Sequence, residues 1–148
     1  MFRENSSHKI DANGRLIIPV RFHRLIHEGG ENGVMVTRMD NTLVAYPFDK
    51  WRILEAKILS LPIKSDGMRR FRRIFIGSSS ECFLDKNNRI VISPSLRAYA
   101  GLKKEVILVG VLDHFEIWSH DNWEKENLQH VEDLKDEDLK SQIASLGI

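Results

Sequence analysis

The sequence writes one pattern twice. Residues 11–15 read DANGR and residues 85–89 read DKNNR, and the apolar runs LIIP and IVIS follow. With residue 11 set on residue 85, Asp11 meets Asp85, Asn13 meets Asn87, Arg15 meets Arg89 and Ile18 meets Ile92. The offset then shifts from 74 to 72, and residues 34–51 lie on residues 106–123. Val34 meets Val106, Leu43 meets Phe115, Tyr46 meets Trp118 and Trp51 meets Trp123. Two copies of a unit of about 50 residues are too few for a solenoid, which needs at least about three. A unit of about 50 residues also buries too little core to stand alone. The pair is therefore expected to form one pseudo-symmetric domain, with hairpins of each copy completing the other's sheet.

Each unit reads β-β-α-β-β. A short strand, HKI or CFL, runs into the Asp-x-x-x-Arg turn. Asn13-Gly14 predicts a type I′ hairpin, and Asn87-Asn88 is the same device with more strain. A second strand follows, RLIIP or RIVIS, rich in β-branched residues. Pro19 falls in the first turn of the next helix, and Ser93-Pro94 reads as an N-cap followed by proline at the first helical position. Gly29-Gly30 and Gly101 end these helices. A second hairpin closes each unit, VMVTR to TLVAY and VILVGV to FEIW.

Between the copies, Trp51, Leu54, Ile58 and Leu61 fall on one helix face, with Asp49 near its cap. Met68, Phe71 and Phe75 form a stripe on a second helix, and Arg69, Arg70, Arg72 and Arg73 take its remaining surface. The expected organisation is a first repeat over 1–51, connecting helices over 52–74, a second repeat over 75–123 and a charged helical tail over 124–148.

The chain has 148 residues, 42% of them apolar and 29% charged, the composition of an ordinary soluble globular protein. No stretch approaches the roughly 18 apolar residues of a membrane span. MFRENSSHKI lacks an apolar signal core, so no secretory leader is expected. Cys82 has no partner for an internal disulfide, which fits a reducing cytoplasm. The net charge of +1 is unevenly placed. After residue 120 the chain carries eight acidic residues against three lysines, leaving the rest at +6. A basic body with an acidic tail suits a polyanionic partner.

Asp11 and Asp85 are read as loop-shaping residues whose carboxylates accept backbone N–H groups, with Asn13, Gly14, Asn87 and Asn88 completing the turns. Arg15 and Arg89 project from rigid bases and suit bidentate contact with guanine or phosphate. Their repetition at equivalent places suits a duplex. Arg3, Lys9 and Lys86 stand near enough in sequence to add backbone contacts. Arg69–Arg73 are a second basic patch: a solvated helix face, phosphate contacts or salt bridges to a neighbouring subunit. The pairs Tyr46/Trp118 and Trp51/Trp123 are read as core or subunit contacts before base-stacking platforms. His23 and His27 have helical metal-pair spacing without the glutamate of an H-E-x-x-H motif, so no metal or other cofactor is expected. Cys82 is read as a small buried residue. Ser78-Ser79-Ser80 makes no G-x-S-x-G elbow, and no P-loop or G-x-G-x-x-G is present. No small-molecule substrate is evident, and no nucleophile, base and orienter form a set.

These residues, above all MFRENSSHKIDANGRLIIPVRF, ECFLDKNNRIVISPSLRAYAGL and EVILVGVLDHFEIWS, resemble the MraZ family over residues 1 to about 125. The resemblance implies an α+β fold, an AbrB/SpoVT-like swapped-hairpin barrel built from two repeats. It implies a bacterial transcriptional regulator that directs Arg15 and Arg89 at double-stranded DNA. It further implies a homo-oligomeric ring on short direct repeats upstream of the division and cell-wall gene cluster. Such proteins usually repress, and the expected location is cytoplasmic and nucleoid-associated. Four positions depart from the family pattern: Glu4 replaces Gly, Asn13 replaces Lys, Asn88 replaces Gly and Ser93 replaces Pro. The competing expectation is a non-enzymatic assembly or protein-interaction module that uses the acidic tail and the aromatic pairs.

Overall fold

Alternation along the strands decides which side chains enter the core. In β2 (Arg15–Ile17) only Leu16 is buried, and β6 (Arg89–Val91) repeats the pattern with Ile90. The computed structural model describes residues 1–148. The first copy supplies β1 (Asn5–Lys9), β2, α1 (Val20–Glu28), β3 (Gly33–Met39), β4 (Thr42–Pro47) and α2 (Phe48–Ser60). α3 (Asp66–Gly77) leads to the second copy: β5 (Ser80–Phe83), β6, α4 (Pro94–Ala100), β7 (Glu105–Val111), β8 (His114–Ser119) and α5 (His120–Asp133). α6 (Glu137–Ala144) ends the chain.

The hairpins are exchanged between copies. Six strands form an antiparallel sheet in the order β1-β7-β8-β4-β3-β5, and β2 pairs with β6 in a separate antiparallel ribbon. β1 thus finds its partner in the second copy, and β5 finds its partner in the first. A pseudo-dyad passes through two places. Leu16 faces Ile90 at the centre of the ribbon. Val44 faces Glu116 where β4 meets β8, flanked by Leu43 against Ile117 and Ala45 against Phe115. The offset of 72 makes those flanking pairs symmetry mates. His8 opposite Val106 and Cys82 opposite Val34 are likewise equivalent. The swapped-hairpin double-repeat fold expected from the sequence is the one observed.

One core of 20 buried residues lies between sheet, ribbon, α1 and α4. Leu16, Ile18, Ile26, Ile90, Ile92, Leu108, Phe115 and Ile117 have almost no exposure. Phe2, Phe22 and Phe115 stack within it, with centroids 5.0 to 5.4 Å apart. Cys82 is buried there too, and burial pushes its thiol pKa up to about 11. A smaller cluster of Val44, Trp51, Ile58 and Phe75 holds α2 and α3 over the strands.

The helix boundaries follow local chemistry. The Ser93 hydroxyl accepts from the Leu96 N–H and Pro94 opens α4, while Gly101 closes it at φ 65. Gly29 and Gly30 close α1. Pro19 is the N-cap of α1 rather than a residue of its first turn, because its ψ of 147 is extended. The stripe on α3 is graded: Phe75 is buried, Phe71 half-buried and Met68 exposed. Leu61 is also exposed, lying beyond the end of α2.

The Asp-x-x-x-Arg turns are not type I′. Within them only Gly14 (φ 80) and Asn88 (φ 59) take left-handed backbone. The Gly14 N–H donates to the Asp11 carbonyl at 3.0 Å, and the Asn88 N–H to the Asp85 carbonyl at 2.9 Å. This is a three-residue hairpin loop closed by a left-handed residue. The physical reason is the aspartate, whose carboxylate gathers N–H groups two and four residues on and holds the turn's centre right-handed. A primed turn sits elsewhere, at Asp40 (φ 53) and Asn41 (φ 62) between β3 and β4.

Candidate nucleic-acid interface

The two loops repeat one hydrogen-bond network. Asp11 Oδ1 accepts the N–H of Asn13 at 3.0 Å and of Arg15 at 2.9 Å, and its Oδ2 accepts Arg15 Nε–H at 2.6 Å. Asp85 Oδ1 accepts the N–H of Asn87 at 2.8 Å and of Arg89 at 3.0 Å, and its Oδ2 accepts Arg89 Nε–H at 2.9 Å. In both loops the arginine backbone N–H is the chief cause of a lowered aspartate pKa. Partial burial opposes it, and the guanidinium and the other N–H reinforce it. Each aspartate therefore stays ionised and holds its arginine by Nε alone. The two terminal nitrogens of each guanidinium are left to donate outward in the bidentate geometry that suits phosphate or a guanine edge.

The ribbon puts these arginines on one surface. Leu16 and Ile90 point into the core, so Arg15, Ile17, Arg89 and Val91 share the opposite face. Arg15 lies across from Val91 and Ile17 across from Arg89. The arginines are thus diagonal neighbours, about 7–8 Å apart at the backbone. Each loop also clasps the other strand: the Ile18 N–H donates to the Asn88 carbonyl at 2.9 Å, and the Ile92 N–H to the Gly14 carbonyl at 2.8 Å. A Cβ on Gly14 would stand 2.4 Å from that Ile92 carbonyl oxygen, so close approach as well as φ demands glycine there.

The braces beneath the loops differ. Arg97 Nε donates to the Ile92 carbonyl at 3.1 Å, and its Nη1 reaches the Ala12 carbonyl at 3.2 Å. The equivalent residue, His23, bonds the Ile18 carbonyl at 2.8 Å through Nε2. Its shorter side chain makes no bond to the second loop. The first loop is therefore tied down by a side chain of the second copy, and no side chain of the first copy does the same for the second loop. His23 is engaged here rather than paired with His27, and no group of three or more His, Cys, Asp or Glu stands close enough to hold a metal ion.

The other expected cations fall in two places. Lys9 ends β1 opposite Glu105, two residues before Asp11. Lys86 lies exposed inside the second loop. Both stand beside the ribbon. Arg3 does not: it precedes β1, and its backbone crosses Gly110 at the far end of that strand. Sequence reasoning missed Ile17 (58% exposed) and Val91 (55% exposed) as parts of this face, and Arg97 as a brace. Period-2 alternation is the signal that places Ile17 and Val91 outward, on the face opposite Leu16 and Ile90. Nothing local signals Arg97, whose contacts lie 85 residues away.

The fold and the paired loops define the class: a single-chain, two-repeat swapped-hairpin protein with one Asp-Arg clamp per repeat. A family model described as "MraZ protein, putative antitoxin-like" matches residues 1–74 and again residues 75–141. The chain is 53% identical to "Transcriptional regulator MraZ" of Desulforapulum autotrophicum over 148 residues, all of both chains. It is 47% identical to the protein of that name from Desulfosudis oleivorans and 36% identical to that from Natranaerobius thermophilus, again over the whole of both chains. The chain belongs to the MraZ family. It is a transcription regulator and not an enzyme.

Proposed function

We propose that the protein binds double-stranded DNA sequence-specifically through the β2–β6 ribbon, with Arg15 and Arg89 as the reading residues. The observation that carries this is the pair of dyad-related Asp-Arg clamps on one exposed ribbon face. A major groove admits a two-stranded β-ribbon, and guanidinium groups with free terminal nitrogens match the acceptor pair of guanine. Ile17 and Val91 sit between the arginines, where apolar contact with thymine methyl groups is available. Lys9 and Lys86 flank the ribbon and contact phosphate. Arg3, at the other end of β1, reaches phosphate only where the duplex extends along that strand. Phosphate contacts set the register and base contacts the sequence.

The biological role that fits is repression of the division and cell-wall gene cluster. A ring-like homo-oligomer would occupy successive direct repeats upstream and block the polymerase, in the cytoplasm at the nucleoid. One ribbon makes few contacts, so affinity comes from several protomers engaging neighbouring repeats.

The test is an electrophoretic shift on the chain's own upstream region with the double variant Arg15→Ala/Arg89→Ala. Specific binding is expected to disappear while circular dichroism and oligomer mass stay unchanged, and each single variant is expected to lose part of the affinity. The wild-type complex should weaken steeply with salt, its log-log slope becoming about one unit shallower for each phosphate contact removed. A double variant that shifts the operator like wild type overturns the assignment.

A further inference from the structure

The two copies are not covered alike. In the first, α3 lies beside α2 on the strands, and Phe75 against Trp51 completes the cluster that leaves Trp51 2% exposed. In the second, α5 is the counterpart of α2, and Trp123 rests on Trp118 at 5.6 Å with only α5 itself above the strands. No residue of α5 or α6 is buried. Leu128 (69% exposed) and Val131 (58% exposed) face solvent three residues apart. Glu124 and Glu132, four residues to either side of Leu128, share that face; each has an exposed local partner, His120 at 3.4 Å and Lys135 at 2.9 Å, that a stronger cation can replace. The result is an apolar stripe with acidic ends.

A complementary surface lies on α3. Between α3 and the β3–β4 turn is an open groove of about 300 Å³. Met39, Phe71 and Ile74 form its apolar wall, and two arginines, Arg38 and Arg70, outnumber the one carboxylate, Asp40, at the rim beside Tyr99. The Arg38 guanidinium lies over the Tyr99 ring at 4.5 Å, which fixes one cation at the rim. Arg69 is paired with Asp66. Arg70, Arg72 and Arg73 have no carboxylate partner, and no ion pair of this chain joins α3 to the tail.

We propose that the α3 groove of one copy receives the acidic face of α5 from a second copy of this chain. The charge complementarity argues for a second copy, because a basic apolar groove and an acidic apolar stripe occur on the same molecule on separate supports. α3 packs over β3, whereas α5 packs over β7 and β8. Each copy presents both surfaces, so the contact is head-to-tail and closes into a ring where the rotation allows. The inference rests on the oligomer of the proposed function and supplies its interface. It leaves the ribbon free, since none of these residues belongs to β2 or β6.

Sedimentation velocity on the full chain tests it. Wild type is expected at a multiple of 17.1 kDa. Arg70→Glu/Arg73→Glu and, separately, Glu124→Lys/Glu132→Lys are each expected to fall to the 17.1 kDa protomer with unchanged circular dichroism. An equimolar mixture should regain the wild-type mass, because each reversed surface then meets its opposite. Leu128→Ser, a single exposed change, should weaken assembly alone. Reversed variants that assemble like wild type, or a mixture that stays protomeric, overturn this interface only. A wild-type protein that sediments as a protomer overturns the oligomer of the proposed function as well.

Discussion

Asp11 and Asp85 do two jobs with one carboxylate each. Oδ1 gathers two backbone N–H groups and sets the turn, and Oδ2 fixes the arginine by Nε. That division of labour holds both arginines by the same atom and leaves their outer nitrogens free. It also sets a pH dependence. Both carboxyls have folded pKa values below the ordinary 3.8. Their contribution to stability is therefore present above the unfolded value and is lost as pH falls through the folded one. The stability gap between wild type and Asp11→Asn/Asp85→Asn, read from urea midpoints, is expected to be constant at neutral pH. Below about pH 3.8 it should shrink towards zero, following the ordinary aspartate titration range. The residue scale was the most legible in the sequence. The Asp-to-Arg spacing marked both loops and the carboxylates that shape them, but not the Nε pairing of each arginine. The turn type escaped because Asn-Gly was weighed without the carboxylate that overrides it.

At the scale of elements, the entry to β1 is strained. The Arg3 backbone crosses β7 at Gly110, where a Cβ would come within 2.3 Å of the Arg3 nitrogen. The Gly110 N–H donates to the Glu4 carbonyl at 2.8 Å, and the Phe2 and Leu112 main chains bond each other on the far side. This crossing holds Glu4 at φ 68. Glycine is the residue that takes this backbone without strain. A left-handed residue with a Cβ costs roughly 1–2 kcal/mol. The Arg21–Glu4 pair at 3.4 Å returns little, since the glutamate is mostly exposed. Glu4→Gly is expected to raise stability by about 0.5–1 kcal/mol in chemical denaturation, net of glycine's greater unfolded-state entropy. Asn88, at φ 59, takes the same left-handed backbone, and asparagine tolerates that conformation better than glutamate. Strand content and helix caps were readable from composition and spacing. The crossing was not, since it brings residue 3 against residue 110.

The whole molecule depends on exchange. β1 bonds β7, β5 bonds β3 and β2 bonds β6, and every one of these pairings joins the two copies. Neither copy can satisfy its strand edges or close its core alone. Fragments 1–77 and 78–148 are each expected to lack a folded monomeric state. Mixed, they should recover a two-chain complex with cooperative melting, measured by circular dichroism and sedimentation. A fragment that is monomeric and melts cooperatively by itself would show that the exchange is dispensable. The same exchange ties function to fold. The ribbon that carries Arg15 and Arg89 exists only after both copies have met, so the two arginines reach one surface only in the folded chain.

The sequence by itself determined the repeat, its two offsets, the Asp-Arg spacing and the β-branched strands that follow each turn. These are local or periodic properties, fixed by side-chain chemistry within a few residues. The pairing partner followed from a size argument, because a unit of about 50 residues buries too little core without another. Only the tertiary structure decided what depends on contacts distant in the chain. It set Arg97 against Ala12, left Ile17 and Val91 on an uncovered ribbon, and laid α3 beside α2 on the strands while leaving α5 bare. The reason is the same in each case. A side chain carries its chemistry in the sequence, but what it meets depends on which distant surfaces the closed core brings to it.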